Sequence, residues 1–289
     1  MIPNERMVVV FVKAPTPGRA KTRLLPFLSP EEAAGVYRWL AQETLATVQM
    51  VRDTQVVIAY AADEQFPDLQ WLTIPNKTLR AQGSRLKAEG NRLPGPPSAL
   101  AGAGEPRASS LEPDLDVLTR PWPTILQQGE GLGERLTHAF AWAFGQGARQ
   151  VVAIGSDAPE LSAEWIKQAF LKFRTRDIVL GPTPDGGYHL IGMKRLYPEL
   201  FMGMPWSSSK LFALTVSRIR QLELSHACLP PIADLDTVDD LCVYLKRSAN
   251  MTIGHDRLLD LQQLERRVRE TPMGSWQAQE SRPNKEDVA

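Results

Sequence analysis

Val12-Lys13-Ala14-Pro15-Thr16-Pro17-Gly18-Arg19-Ala20-Lys21-Thr22-Arg23-Leu24-Leu25-Pro26 follows directly on the apolar run Met7-Val8-Val9-Val10-Phe11. The run reads as a fully buried strand. The chain therefore leaves a sheet and enters a loop, punctuated by Pro and Gly, that carries Lys13, Arg19, Lys21 and Arg23. In an open α/β sheet, phosphorylated ligands bind at such strand-end loops. One cation about 4 Å from a phosphate oxygen is worth roughly 4 kcal/mol near a surface, so two or three converging cations could hold a nucleoside diphosphate. Taken alone, the same loop reads equally well as a solvated basic turn.

The rest of the composition narrows the class. At 289 residues and 43% hydrophobic content the chain can bury a sizeable core. Lys plus Arg equals Asp plus Glu at 33 each, a balance that argues against a nucleic-acid coat. Cys228 and Cys242 are the only cysteines and form no CxxC pair, so neither a disulfide framework nor a zinc cluster is expected. No apolar stretch reaches the roughly 18 residues of a membrane span, and the start lacks a signal-peptide layout. A cytoplasmic protein without nucleic-acid or membrane partners is expected.

Strand-like and helix-like segments alternate, which favours a mainly parallel sheet with helices on both faces. Ser29-Pro30-Glu31-Glu32 forms a capping box with proline at the first helical position, and Tyr37, Leu40, Ala41, Leu45 and Val48 then recur at helical spacing. Thr54–Tyr60 reads as a second strand. From about Asn76 to Pro121 the sequence turns to Gly, Pro, Ala, Ser and charge, as expected of an insertion or flexible loop. Order resumes at Thr124–Gln128, then a helix with Leu132, Leu136, Ala139, Phe140 and Ala143 on one face. Val151–Ile154 is the next strand, and Ile166, Ala169, Phe170 and Phe173 mark another helix. Two strands, Asp177–Gly181 and Tyr188–Met193, flank the turn Pro184–Gly187. A helix from about Ser207 groups Phe212, Val216, Ile219 and Leu222, and His226–Leu229 is a last short strand. One domain over residues 1–250 is expected, followed by a C-terminal helix and a frayed tail over 251–289.

Three acidic places could carry chemistry. Asp157, in Gly155-Ser156-Asp157-Ala158-Pro159, stands just past a buried strand, at the sheet edge that also carries the basic loop. It lies five residues ahead of Ser162, too far to cap the helix that Ser162 itself caps better. Asp234-Leu235-Asp236-Thr237 supplies two more carboxylates, hard oxygen ligands of the kind that hold Mg²⁺ or Mn²⁺ together with phosphates. Asp236 could instead cap a helix over Val238–Lys246. In Pro184-Asp185-Gly186-Gly187-Tyr188, Asp185 could orient or deprotonate an acceptor hydroxyl while the glycines keep the backbone close to a ligand. A plain hairpin turn accounts for the same residues.

Several look-alikes fail on their residues. Lys21-Thr22 suggests a phosphate-binding P-loop, but Ala20 and Pro15 stand where its glycines belong. Gly129, Gly131 and Gly133 suggest a dinucleotide fingerprint, but Glu134 fills the place of the last glycine. Too little chain follows Asp234-Leu235-Asp236-Thr237-Val238 for an aspartyl-phosphatase domain. No histidine pair has metal-ligand spacing, and no G-x-S-x-G elbow offers an acyl-transfer nucleophile.

Together VFVKAPTPGRAKTRLLP, GEGLGERLTHAF, VVAIGSDAPEL, VLGPTPDGGYHLIGM, LFMGMPWSSSKL and DLDTVDDL, in that order over about residues 7–245, resemble a GT-A-like glycosyltransferase family. That family is DUF2064, of the radical-SAM-associated, arsenosugar-biosynthesis type. The opening loop is also similar to that of 2-phospholactate and molybdenum-cofactor guanylyltransferases, which share the fold. The resemblance implies a single nucleotide-diphospho-sugar transferase domain using Mg²⁺ or Mn²⁺. It implies that Lys13, Pro17, Gly18, Lys21 and Arg23 surround the phosphates of a nucleotide, and that Gly131, Gly133 and Arg135 lie beside it, with Gly186, Gly187 and Tyr188 also in contact. Asp157 matches the metal-binding acid of a GSD motif, and Asp236 the aspartate of a late D-T motif that also reaches the metal. Lys21 and Arg23 would stabilise the leaving diphosphate, and Asp185 would be the base or the acceptor-orienting acid. His189 departs from the pattern, standing where a second aromatic is expected. The partners implied are a nucleotide sugar and a small-molecule acceptor, or alternatively a nucleoside triphosphate in a nucleotidyl transfer; a non-catalytic nucleotide-binding protein is the third possibility.

Overall fold

The computed structural model describes residues 5–61, 63, 69–72 and 122–248, the side chains of 246–248 excepted. The expected insertion at 76–121 and the expected helix and tail at 251–289 lie outside these residues. The elements in order are β1 (Arg6–Lys13), α1 (Pro30–Gln49), β2 (Gln55–Ala61), β3 (Thr124–Leu126), α2 (Leu132–Gly145), β4 (Gln150–Ile154), α3 (Ala163–Lys172), β5 (Ile178–Pro182), β6 (Tyr188–Met193), α4 (Leu211–Gln221), β7 (His226–Cys228) and α5 (Val238–Ser248).

The strands form one seven-stranded sheet in the order β3-β2-β1-β4-β6-β5-β7. All neighbours are parallel except β6, which runs antiparallel to both β4 and β5. The α/β sheet is thus mainly parallel, as expected. The apolar runs of β1, β2 and β4 are continuous because both of their faces are covered. Val8, Val10 and Val12 pack with Ile58, Tyr60, Val152 and Ile154 under α1 and α3, represented by Tyr37, Leu45, Ile166 and Phe170. Met7, Val9, Val57, Ala59, Val151 and Ala153 face the other way, against Leu136, Phe140 and Ala143 of α2 and Ile219 of α4. Each of the buried Val, Leu, Ile, Met and Phe side chains among these contributes roughly 1.5–3 kcal/mol.

The capping box is present at both ends of its reciprocal pair: Glu32 N donates to Ser29 Oγ at 3.1 Å, and Ser29 N donates to the Glu32 carboxylate at 2.8 Å. The opposite side of α1 is buried too. Val36, Trp39 and Leu40 pack with Leu24 and Leu28 of the opening loop and with Val238, Leu241 and Leu245 of α5.

Two local expectations are corrected and one open alternative is closed. Leu132 does not join the buried face of its helix; as the first residue of α2 it precedes the first full turn and stays exposed. The helix expected from Ser207 begins at Leu211, because Ser207 takes a left-handed conformation (φ 63°) that a right-handed helix cannot include. Asp236 does not cap α5. Thr237 and Asp240 do so reciprocally, with Thr237 N donating to Asp240 Oδ2 at 2.7 Å and Asp240 N to Thr237 Oγ1 at 3.2 Å. Among the described residues no helix is long and apolar enough to cross a membrane.

The β5–β6 hairpin folds β6 back between β4 and β5, and it carries an irregularity in register between Gly181 and Pro182. The pairing passes from Leu190 opposite Gly181 to Tyr188 opposite Pro182, so His189 is the extra residue of a bulge. The His189 ring fits only because Gly181 has no side chain: a Cβ there would stand 2.6 Å from Nε2. Burial leaves His189 4% exposed, with neither ring nitrogen hydrogen-bonded. That burial drives its pKa down to about 4, although Asp157 pulls it the other way.

Two measurements test this hairpin. Gly186 has φ 91° and lies so close to the Ser209 main chain that a Cβ would collide with it, while its carbonyl accepts from Phe212 N at 2.8 Å. Gly186→Ala should lower the unfolding free energy by about 3 kcal/mol, from overpacking plus the left-handed backbone. Urea unfolding measures it, and a loss below about 1 kcal/mol would refute that packing. His189 is held neutral in the fold, binding its proton at about 4 rather than near the unfolded value of about 6.5. Its stabilising contribution is complete above about pH 6.5 and is lost as pH falls toward 4, a change of about 3 kcal/mol. Between pH 7 and pH 4, His189→Phe should therefore lose about 3 kcal/mol less than the wild type. Parallel pH profiles for the two proteins would contradict the burial of a neutral ring.

Candidate active site

The order in which strands are laid down reverses between the parallel neighbours β1 and β4: from β1 the sheet builds outward to β2 and β3, and from β4 toward β6, β5 and β7. In an open α/β sheet the loops leaving the carboxyl ends of two such strands diverge and form a crevice. The basic loop leaves β1, and Gly155–Leu161 leaves β4. The segment after β7 crosses to the same edge and is tied to the β4 loop by Leu235 N donating to Asp157 O at 2.9 Å.

The structure brings the expected charges together in that crevice. Lys21 Nζ lies 2.7 Å from Asp236 Oδ1 and 3.3 Å from Asp157 Oδ2. Arg23 NH1 is 4.0 Å from Asp236 Oδ2. Local packing explains how a lysine comes to stand there. Ala20 is buried under the sheet face and Leu24 is buried against α1 and α5, so the short stretch Lys21–Arg23 between them is held at both ends. Lys21 takes a left-handed backbone (φ 50°, ψ 48°) ahead of a 3-10 turn at Thr22–Leu24, and its side chain is 2% exposed. Gly18, at φ 78°, makes the preceding turn, where a residue with a Cβ would be strained.

Burial opposes the charge on Lys21, but Asp157 and Asp236 outweigh it and hold its pKa above the ordinary lysine value. For Asp236, burial would raise the pKa; Lys21, Arg23 and Lys13 reverse that and hold it low. A single ammonium would not offset its own desolvation, which costs several kcal/mol. Two facing carboxylates make the buried charge tolerable. Asp157 and Asp236 remain 32% and 41% exposed, so their outer sides face solvent while Lys21 lies beneath.

Tyr37 braces the arrangement. Its hydroxyl accepts from Lys13 N at 2.8 Å and hydrogen-bonds Ser156 Oγ at 3.0 Å, joining the basic loop to the residue before Asp157. The Lys13 ammonium lies over the Tyr37 ring, 5.3 Å from its centroid. Thr16 Oγ1 is hydrogen-bonded to Asp63, Pro17 is half-buried and Arg19 is exposed.

Asp185 spends Oδ1 on its own turn, accepting from Thr183 Oγ1 and, at 3.1 Å, from Gly187 N. It is exposed, its charge is felt at Asp234, and Oδ2 is the oxygen left for other work. The glycines and Tyr188 have packing roles. Gly133 lets α2 approach the Phe201–Trp206 segment: a Cβ would stand 2.8 Å from Phe201 O and 2.9 Å from Trp206 Nε1. Gly186 admits the Ser209 main chain. Tyr188 meets Trp206 edge-on at 6.5 Å between centroids, with its hydroxyl buried beside Thr215. Gly131 is the N-cap of α2, with open space beside it, and Arg135 Nε donates back to Gly129 O at 3.0 Å. Among the described residues, no hydrogen bond or ion pair joins Gly131, Gly133, Arg135, Gly186 or Tyr188 to Asp157 or Asp236.

Asp234 was given no individual role by the sequence. Its Oδ1 is buried without a hydrogen-bond partner, and burial, with Asp157 and Asp236 adding repulsion, holds its pKa well above the carboxylate range. The alternation Asp-Leu-Asp, with Leu235 buried, was the available signal: it sends both acids away from the core side taken by Leu235. Among the described residues no group of three or more His, Cys, Asp or Glu side chains is assembled for a metal. Two carboxylates with an orphaned carboxylate oxygen nearby fit a hard cation that takes its remaining ligands from phosphate, not a closed all-protein cage.

No curated protein sequence matches the chain. Residues 93–208 match a family model described as an uncharacterized protein conserved in bacteria (DUF2064). A crystal structure of a candidate nucleotide-diphospho-sugar transferase from Desulfovibrio desulfuricans G20 is 27% identical, covering 92% of this chain and 97% of that one, with a TM-score of 0.70. Two looser overlaps follow. A 4-diphosphocytidyl-2C-methyl-D-erythritol synthase of Anaerococcus prevotii DSM 20548 is 10% identical over 84% of this chain and 100% of that one, with a TM-score of 0.45. A glucosyl-3-phosphoglycerate synthase of Mycobacterium tuberculosis, solved with Mn²⁺, UDP and phosphoglyceric acid, is 11% identical over 84% of this chain and 78% of that one, with a TM-score of 0.38. Both diverge too far in shape for their activities to bear on this chain. The architecture is that of the nucleotide-diphospho-sugar transferases.

Proposed function

We propose that the protein is a divalent-cation-dependent glycosyltransferase that moves a sugar from a nucleotide sugar to a small acceptor. The observation that carries the reading is the meeting of Lys21 with Asp157 and Asp236 at the point where the sheet reverses, with Lys13 and Arg23 beside them. Acids for a cation and cations for a diphosphate in one crevice suit a ligand that needs both. The similarity to the Desulfovibrio protein supports the same class of donor.

Each side chain has a task in this reading. Lys13, Lys21 and Arg23 bind the diphosphate, with Pro17 and Gly18 shaping the loop that approaches it. Gly131 and Arg135 flank the nucleotide at the start of α2, where Gly133 seats that helix, and Gly186, Gly187 and Tyr188 approach the nucleotide from the turn between β5 and β6. Asp157 and Asp236 would hold Mg²⁺ or Mn²⁺, which when bound neutralises charge on the diphosphate. The acceptor oxygen attacks the anomeric carbon as the bond from that carbon to the phosphate oxygen breaks. The bonding pair leaves with the nucleoside diphosphate, and the acceptor proton passes to Asp185 Oδ2. Charge developing on the leaving oxygen is met by Lys21 and Arg23, the largest stabilisation such a site supplies.

Nucleotidyl transfer is the second reading, favoured by the concentration of Lys13, Lys21 and Arg23 around one acid, which suits a triphosphate as well as a diphosphate. Product analysis separates the two. With Mg²⁺, a panel of nucleotide sugars and simple acceptors should yield nucleoside diphosphate and glycosylated product, whereas pyrophosphate release from a nucleoside triphosphate would replace the glycosyl reading. Asp157→Asn should slow turnover at least ~30-fold, about 2 kcal/mol of barrier, without loss of folding. Near-wild-type turnover in that variant would remove Asp157 from the chemistry.

A further inference from the structure

Resting on that reading and deepening it, we infer that Lys21 and the divalent cation are alternative occupants of the gap between Asp157 and Asp236. The cation then loads as a complex with a nucleoside diphosphate, not alone. The Lys21 ammonium takes Asp157 Oδ2 and Asp236 Oδ1, one oxygen from each acid, and so sits between the two. The remaining oxygens look elsewhere. Asp157 Oδ1 is turned back against Gly155, where a Cβ would stand 2.9 Å away, and Asp236 Oδ2 faces Arg23. A cation bridging the acids needs the pair of oxygens that the ammonium holds, and the two positive charges repel at such range.

Two further features fit this exclusion. Among the described residues no third ligand is assembled, so two acids alone offer a cation few of the roughly six oxygens it takes. Phosphate oxygens complete the set, and the same phosphates give the ammonium an anionic destination beside Lys13 and Arg23. The backbone at Lys21 is pinned by the burial of Ala20 and Leu24, so the exchange is a swing of the four-carbon side chain about a fixed main chain. Diphosphate binding thus pulls the lysine out as the cation goes in, and each ligand raises the affinity of the other by the same factor.

Mn²⁺ alone is the first probe, followed by electron paramagnetic resonance of the free ion with the full-length protein. The wild type should bind it weakly, and Lys21→Met about tenfold more tightly or better, within the usual range of coupling. The second measurement keeps the natural lysine: amine-reactive labelling of Lys21, read by mass spectrometry. Labelling should be slow without ligands, rise about tenfold at saturating Mn²⁺, and fall again when UDP, GDP, ADP or CDP is added. If Lys21→Met binds Mn²⁺ no more tightly than the wild type, or if the wild type binds Mn²⁺ with its Lys21 labelling unchanged, lysine and cation do not exclude each other. Either result overturns this inference and leaves the metal-dependent reading intact. Should the substituted protein fail to fold, the labelling result decides. Absence of Mn²⁺ binding in every form, nucleoside diphosphates included, would overturn both.

Discussion

One ammonium, taken out of water at the bottom of a crevice, depends on two carboxylates supplied by loops 136 and 215 residues further along the chain. Neither the lysine nor the acids could be placed so alone. A buried charge without its counterions costs several kcal/mol, and two close carboxylates without a cation between them repel. The fold satisfies both by bringing the ends of β1 and β4 side by side and carrying the segment after β7 across to meet them. Most other features of the crevice serve that meeting. Tyr37 braces the loops from behind, and Leu235 N fixes the spacing of the acids through Asp157 O.

The division of labour between Asp236 and its neighbours follows from hydrogen-bond capacity. A carboxylate that capped α5 would turn its oxygens toward the helix. Thr237 and Asp240 satisfy the cap between them, a contribution of about 1 kcal/mol, and Asp236 is left to the lysine. Asp185 shows the converse: one oxygen closes its own turn, and the other has no hydrogen bond among the described residues. The sequence left cap and ligand open at Asp236 because both readings use the same residue type at the same offset. Only the identity of the residue that accepts from the helix amides decides.

Much of the frame was legible. The valine run, the capping box and the strand ahead of Asp157 stand where their patterns place them, because continuous apolar runs and reciprocal caps are local signals. The convergence of Lys21 and Arg23 with Asp157 and Asp236 was legible as well, since strand-end loops of an open sheet share an edge. What escaped was set by tertiary contact. The exposure of Leu132 depends on where the first turn of α2 sits, and the start of α4 depends on the left-handed Ser207. His189 reads as an oddity in a motif, yet its position follows from a bulge that no periodicity announces, and Gly181 leaves it room. Gly186 and Gly133 likewise owe their places to tertiary contact, with the Ser209 main chain and with Phe201 O and the Trp206 indole.

Helix α1 lies between two cores. Its inner face is part of the sheet packing, through Tyr37 and Leu45, and its outer face is covered by Leu24, Leu28 and the apolar side of α5. Such a helix has little surface on which sequence can drift, since a polar change on either flank opens a cavity or strands a buried dipole. It also makes α5 a wall behind the lysine loop: Leu24, three residues past Lys21, shares its pocket with Leu241 and Leu245. Whatever docks against or shifts α5 is therefore felt at Lys21 through a single layer of leucines, which couples the last described helix mechanically to the buried ammonium.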